Sequence, residues 1–593
     1  MLDKLRAIRC RVEMGAFILT SILLLCVYGF TLAPSVNLEL SGILITAADR
    51  LGVSITPGQP LWTMLAFLFS RMFGWATFLG HPNPAWGVHW LCAVCGALSG
   101  GLVAWWVCRL SRLGSEQNSE PLNARVSVLC GVSAGMMTGL GSALWSQSVV
   151  AETFSMHLAL TLFTLLLLDS WIRDRSVKAL YGAFLSFGLT VTTQHQGLVL
   201  LPLLLGAMIV QRPKLRNLLW LPVLFIAGFL PLLYLPLASA QHPPVNWGYA
   251  CTWDGFMYTI MRGQFERIVF TDIFGNPLLA CKQLLFGFRI MASQSSLPVL
   301  LLAVPGIYFI FRFSWRSGVL LASAILLYTV GMIWGINPRM DDKSGEVMVI
   351  RYLIPACAFM AILTGVAIYS MPAILFGKFR CGKWVIWFLP IFLPLAALYM
   401  SLADSRNLMT YGSPSQRGNT FGWQFGAGIL NGQRGLIEVL PDGTTFPDAD
   451  YPPPLAPDSV LFGGSDPGRF VPTYMVFGAE LRPDVAVLTQ NALASEVYMM
   501  EMRDLYGEKL WIPAQEDMQR AFQRFVHEAN VRGRADTGVG GVMEINGILA
   551  RSIFLRNKQA HEFYVEESYV VPWMYPYLSP HGLIMKLNRK PVD

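Results

Sequence analysis

The chain has 593 residues, of which 54% are hydrophobic and only 14% charged, with a formal net charge of +7. Soluble domains carry about a quarter charged residues, so this composition excludes a soluble monomer, a disordered chain and a disulfide scaffold. The length exceeds what one core organises, and two or more regions are expected. The positive charge needs no nucleic acid, because short cytoplasmic loops of membrane proteins accumulate Lys and Arg.

A bilayer core of about 30 Å takes roughly 20 apolar residues per helix. Apolar stretches near 14–33, 86–108, 126–145, 154–172, 179–194, 196–211, 218–238, 297–313, 318–335, 352–376 and 384–403 read as about eleven spans. The first is too long for a removable signal peptide and lacks a small-residue cleavage site, so it is expected to anchor the chain. Cys92 and Cys95 are spaced like a metal pair but lie inside an apolar run without a second pair, and read as packing. No metal site is expected.

Charge orients the bundle. If 61–79 does not cross, the clusters Lys4 to Arg11, Arg109 to Arg125, Arg173 to Lys178, Arg212 to Arg216, Arg312 with Arg316, and Lys378 to Lys383 all share one side. The positive-inside rule makes that side cytoplasmic. The stretch 61–79 is then a re-entrant or surface-lying element. The N-terminus is cytoplasmic, and segments 34–85, 146–153, the turn at His195, 239–296, 336–351 and everything after about 404 face outward. The cytoplasmic loops hold no phosphate-binding glycine motif, which argues against an ATP-driven transporter.

In the first outer segment, Ile43, Leu44, Ala47 and Leu51 recur at helical spacing with Thr46, Asp49 and Arg50 between them, predicting a short amphipathic helix at the outer interface. Thr56-Pro57-Gly58-Gln59-Pro60 reads as a turn into 61–79. In the large loop, Cys251 and Cys281 are candidates for pairing in an oxidising compartment. Beyond the last span, Tyr451-Pro452-Pro453-Pro454-Leu455-Ala456-Pro457 reads as a stiff linker. Val460-Leu461-Phe462 and Asp484-Val485-Ala486-Val487-Leu488 read as buried strands, each followed by a helix, and further helical stretches lie near 516–531. The alternation predicts an α/β domain. The domains are therefore 1–403, spanning the membrane; 404–457, a linker; and 458–593, an extracytoplasmic α/β domain.

Several motifs in sequence order carry a family resemblance. Leu40-Ser41-Gly42-Ile43 with Pro57-Gly58-Gln59-Pro60, then Trp145 with Val149-Val150-Ala151-Glu152-Thr153-Phe154, then His195, are followed by Asn246-Trp247-Gly248 and Arg262-Gly263-Gln264-Phe265. Gly463-Gly464-Ser465-Asp466 and Arg482-Pro483-Asp484-Val485 complete the set. Together they resemble the membrane family catalogued as domain of unknown function 2723, which includes a protein O-mannosyltransferase with a GT-C-type fold. The resemblance implies a GT-C-like bundle and transfer of a sugar from a polyprenyl-phosphate donor to a protein or glycan acceptor outside the cytoplasmic membrane, without a soluble cofactor.

One departure bears on chemistry. The family's first loop usually carries Asp-Ser-Gly-Glu, and Leu40 and Ile43 stand at the two acidic positions. An inverting transfer needs a carboxylate to take the acceptor's proton, so Glu39 and Glu152 become the catalytic candidates. Glu152 lies at a helix start, where a carboxylate also serves as a cap. The substrate-binding candidates are His195, Asn246, Trp247, Arg262, Gln264, Arg351 and Asp466. Arg262 and Arg351 offer forks suited to phosphate, although Arg351 also suits interfacial anchoring. Asp341 and Asp342 read as a solvated loop. The Gly463-Gly464 turn is a weak phosphate or sugar cradle. The alternative to an active transferase is a degenerate relative that binds glycan or lipid carrier. A transporter fits less well, because few charges lie deep in the spans.

Overall fold

A computed structural model of the chain describes all residues except 1, 39, 118–122, 262, 264–268, 342, 376–380, 405–412, 441–443, 445–447, 449–450, 534–537 and 593. The chain forms two compact units: Met1–Leu32, His89–Leu232 and Phe265–Arg417 make the first, and Ala33–Val88, Leu233–Gln264 and Gly418–Asp593 the second.

The first unit is helical and membrane-spanning. Among the described residues six helices are long and apolar enough to cross a bilayer, or up to eight if each of two bent pairs is one span. The pair Ala124–Leu140 and Ser142–Ser148 bends by 68°, and the pair Pro277–Ser295 and Leu297–Phe313 by 103°. Two of the other expected spans are short, Val177–Thr193 with 17 residues and the apolar stretch His195–Gln211, which also falls below 18, while the last expected span lies in helix Cys381–Asp404 of 24 residues. Length and apolarity alone thus account for fewer spans than the eleven expected, because a helix of 17 residues rises only about 25 Å. Small residues let these helices approach closely. A Cβ on Gly306 would lie 2.1 Å from the Leu363 carbonyl oxygen, and one on Gly135 would lie 2.4 Å from that of Gly100. Charges cluster near helix ends: fully buried Asp169 accepts from Ser317 Oγ at 2.6 Å and pairs with Arg173 at 3.0 Å, while Glu13 pairs with Arg112 at 2.7 Å.

The second unit is built on a five-stranded sheet, in the spatial order Ala486–Thr489, Val460–Gly463, Phe563–Glu566, Ile584–Leu587 and Leu578–His581. The first three strands are parallel, with Val460 opposite Ala486 on one side and Phe563 on the other. The last two add antiparallel pairing, closed by a turn at Gly582 with φ +65°. All four residues of Val460–Gly463 are buried, which is why that strand reads as a continuous apolar run. Helices Asp466–Phe477, Glu496–Tyr506, Gln515–Arg532 and Val539–Asn557 accompany the sheet. Phe462, Leu488, Ile553, Phe554, Phe563 and Met574 form its core.

Two segments far from 458–593 in sequence belong to this unit. Helix Ser41–Asp49 was expected at an interface, but every one of its residues is buried. Its polar groups are satisfied internally: Thr46 Oγ1 donates to the Gly42 carbonyl at 2.8 Å, and Asp49 accepts from Ser70 Oγ at 2.7 Å. The stretch 61–79 holds helix Pro60–Met72 and the first strand of a two-residue hairpin, Thr77–Phe78 with His81–Pro82. At 13 residues this helix is too short to span. The proline-rich segment is packed rather than free. Leu455 is 2% exposed, and Arg482 donates to the carbonyls of Leu430, Leu455 and Ala456 while gripping Asp484 at 2.6 Å.

Candidate functional site

In the first unit, three turns that are distant in sequence meet around Glu152. The turn after Ser142–Ser148 is held from below: Trp145 Nε1 donates to Thr31 Oγ1 at 2.9 Å, and Tyr28 OH donates to the Gly139 carbonyl at 2.7 Å. Buried Glu152 follows two residues before helix Phe154–Asp174. It does not cap that helix. The N-cap is Thr153, without a side-chain cap bond, and the Glu152 carboxylate instead lies 3.3 Å from Arg351 Nη2. Cys92 Sγ donates to the Glu152 carbonyl at 3.1 Å, so this cysteine supports the turn.

Arg351 sits in the last turn of helix Lys343–Tyr352, where the helix dipole favours a cation. Its guanidinium lies 5.9 Å from the Phe154 ring centroid, and the Tyr352 ring meets Phe154 edge-on at 5.9 Å. The third turn carries His195, half-buried between two anchored amides. Gln194 Nε2 donates to Thr153 Oγ1, and Gln196 Nε2 donates to the Tyr352 carbonyl at 2.7 Å. Glu152 and Arg351 therefore form a pair, and the glutamines flanking His195 are bonded to the residues next to that pair, Thr153 and Tyr352. Chemically, the pair offers a guanidinium fork partly withdrawn from water and oriented by a carboxylate, with His195 on the adjoining turn. Sequence reasoning missed Gln194 and Gln196; their signal was the pattern Gln-His-Gln between two helices.

The remaining described candidates lie in the second unit. Trp247 N donates to the Val53 carbonyl and Val53 N to the Val245 carbonyl, both at 2.9 Å. Gly248 has φ +78°, and a Cβ there would lie 2.1 Å from Thr259 Oγ1, so this turn requires glycine. Asn246 is 1% exposed; its backbone N donates to Glu501 Oε1 at 2.7 Å and its Nδ2 to the Ser239 carbonyl at 3.1 Å. Asn246 thus holds the loop together. Burial pushes the Glu501 carboxyl from its ordinary 4.5 up to about 8, with the Asp504 charge adding to the rise. Half-buried Trp247 lies 5.9 Å from the Arg469 guanidinium and 6.3 Å from the Phe470 ring.

Asp466 opens helix Asp466–Phe477, and its Oδ1 accepts from Arg469 Nη2 at 2.6 Å. The preceding glycine turn is already filled. Gly464 N and Ser465 N donate to Glu566 at 2.8 and 2.9 Å, and Ser465 Oγ donates to the same carboxylate. A cradle whose amides are spent on the chain's own carboxylate does not offer them to phosphate. Arg469 and Glu566 escaped the sequence reading; Arg469 stands three residues after Asp466, a helical pairing distance. At the first-loop motif, Leu40 precedes the buried helix, Ile43 is 3% exposed, and a Cβ on Gly42 would lie 2.2 Å from the Phe470 carbonyl oxygen.

Glu39, Arg262, Gln264 and Asp342 lie outside the described residues. Asp341 is exposed, and Cys251 and Cys281 are free thiols rather than a pair. No group of three His, Cys, Asp or Glu side chains able to hold a metal occurs among the described residues.

Residues 41–217 match the family described as the protein O-mannosyl-transferase TMEM260 N-terminal domain. The chain is 26% identical over 498 residues to protein O-mannosyl-transferase TMEM260 of Mus musculus, covering 80% of this chain and 62% of that protein. It is 21% identical over 520 residues to the tmem260 protein O-mannosyl-transferase of Dictyostelium discoideum, covering 81% and 58%. The chain thus spans about three fifths of the length of these relatives. Among solved structures, it aligns with ArnT from Cupriavidus metallidurans bound to undecaprenyl phosphate at 11% identity and a TM-score of 0.48, covering 96% of this chain and 97% of that one. It also aligns with the Archaeoglobus fulgidus oligosaccharyltransferase in complex with Zn and sulfate, at 13% identity and a TM-score of 0.39, covering 99% and 87%.

Proposed function

We propose that this chain is a membrane glycosyltransferase of GT-C type, which moves a sugar from a polyprenyl-phosphate donor to a hydroxyl of a protein or glycan on the extracytoplasmic side. The observation that carries the reading is the Glu152–Arg351 pair, held where the turn that carries His195 is bonded to Thr153 and Tyr352 in a membrane-spanning unit. The names of the matched relatives support the reaction class.

In the reaction the acceptor oxygen attacks the anomeric carbon, and the bond from that carbon to the phosphate oxygen breaks. The lipid phosphate leaves with the electron pair, and the acceptor's proton passes to a carboxylate. Arg351 supplies donors to the phosphate as its charge grows, a contact stronger in the transition state than before it. Glu152 faces the guanidinium, which suits an orienter. Glu39 stays the candidate base, with Arg262 and Gln264 as further substrate contacts. The lipid carrier supplies the activated bond, so the step as written consumes no soluble cofactor.

A second reading, a non-catalytic relative that binds glycan or lipid carrier, is favoured by one observation. The motif position at Ile43 is buried and apolar. The experiment is incubation of the purified chain with radiolabelled polyprenyl-phosphate sugars and membrane extract. Transfer, or hydrolysis of the donor, supports the enzyme. Donor binding without either supports the second reading.

A further inference from the structure

The second unit brings three sequence motifs to one place: helix Ser41–Asp49 through Gly42, the large loop through Trp247, and the C-terminal domain through the first turn of Asp466–Phe477. The platform is fixed before any ligand arrives. The backbone of Trp247 and of the two residues before it is bonded to Val53 and Glu501, and the turn before Asp466 is bonded to Glu566. Arg469 stacks 4.3 Å above the Phe470 ring and is tied to Asp466. A rigid platform loses little entropy on binding.

We propose that Trp247, Asp466 and Arg469 form a subsite for a neutral pyranose. An indole covers the C–H face of a sugar ring, a carboxylate accepts from its hydroxyls, and a guanidinium donates to them. The charge pattern decides against an anion. The guanidinium is already neutralised by Asp466 at 2.6 Å, and the nearby turn amides serve a second carboxylate, Glu566. A phosphate would meet two carboxylates and one arginine whose charge Asp466 already balances. Asp466 keeps 45% of its side chain exposed, leaving its carboxylate reachable by a ligand hydroxyl. The subsite deepens the transfer reading and rests on it for its use, as a seat for the sugar of a glycan acceptor, while the binding itself requires no transfer.

The test uses the full chain in nanodiscs and saturation-transfer NMR with the methyl pyranosides of mannose, glucose and galactose. At least one pyranoside gives a signal with the unaltered chain. Trp247→Ala and Asp466→Asn each weaken its affinity by about tenfold or more, and Trp247→Phe restores part of it. Unchanged melting of Asp466→Asn separates lost binding from lost folding. Inorganic phosphate leaves the signal in place. The proposal is overturned if no pyranoside binds, if the signal survives both Trp247→Ala and Asp466→Asn, or if phosphate displaces the sugar. Glu152→Gln, which lies in the other unit, keeps pyranoside binding. Sugar binding without any transfer by the unaltered chain sinks the transferase and leaves the subsite standing. Transfer without tryptophan-dependent sugar binding does the reverse.

Discussion

Arg351 and Glu152 stand far apart in sequence, and their 3.3 Å approach makes them one chemical object. If Arg351 receives the donor phosphate and Glu152 aims it, Glu152→Gln lowers the transfer rate by on the order of 10²-fold, within the range for lost electrostatic stabilisers. Arg351→Lys, which keeps charge but loses the fork, costs a similar factor. Because the two act as a unit, the double variant falls little further than either single one. Initial rates with radiolabelled donor measure all three. A silent Glu152→Gln reduces the pair to a structural tie. At this scale the sequence was informative about residue type and silent about partnership: Glu152, His195 and Arg351 stood out as polar groups at the ends of apolar runs, but nothing local announced that Glu152 and Arg351 touch. Asn246 shows the opposite failure, since a polar motif residue on a large loop proved to spend its donors on Ser239 and Glu501.

Glu501 links residue to element, because it ties the loop at Asn246 to helix Glu496–Tyr506, with Asp504, Tyr498 and Tyr506 around it. Unfolded, its carboxyl loses its proton near 4.5; folded, burial holds the proton up to about 8. Between those values the folded state binds more protons than the unfolded one, so this residue's contribution to stability is full below the window and is lost as pH rises through it. Glu501→Gln keeps an acceptor for the Asn246 amide and removes the titration. Its melting midpoint is therefore expected to exceed that of the unaltered chain at pH 8.5 and to converge with it at pH 5. An identical pH slope in both proteins would refute this. Helix Ser41–Asp49 gives a steric counterpart. A methyl at Gly42 lies 2.2 Å from the Phe470 carbonyl oxygen, so Gly42→Ala forces the helices apart, costs about 1–3 kcal/mol and lowers the melting midpoint by several degrees. The amphipathic spacing of this helix suggested an interface because periodicity reports how many apolar positions a helix has, not whether its polar ones find partners. Strand Val460–Gly463 was readable for the same reason in reverse, as an unbroken apolar run. The hairpin Leu578–His581 with Ile584–Leu587 was not, since Ser579, Pro580 and Lys586 break the alternation.

At the scale of the whole molecule, charge in the loops carries an orientation that no apolar stretch can supply. The basic clusters fall on one side only if 61–79 does not cross, and its helix Pro60–Met72, at 13 residues, is too short to do so. What no local pattern showed was that 33–88 and 233–264 join 418–593 in one compact unit, because such assembly rests on contacts between distant residues. The thiols supply a direct test of sidedness. Cys251 is free and exposed in the large loop, and Lys214 is exposed in a basic loop. In sealed vesicles with the extracytoplasmic face outward, a membrane-impermeant maleimide is expected to label Cys251 and to lose that label in Cys251→Ser. With Cys251 and Cys281 both changed to Ser, Lys214→Cys stays unlabelled until the vesicles are opened. The reverse pattern places the large loop in the cytosol, opposite the compartment in which lipid-linked sugar and acceptor are proposed to meet, and removes the sidedness on which the proposed transfer depends.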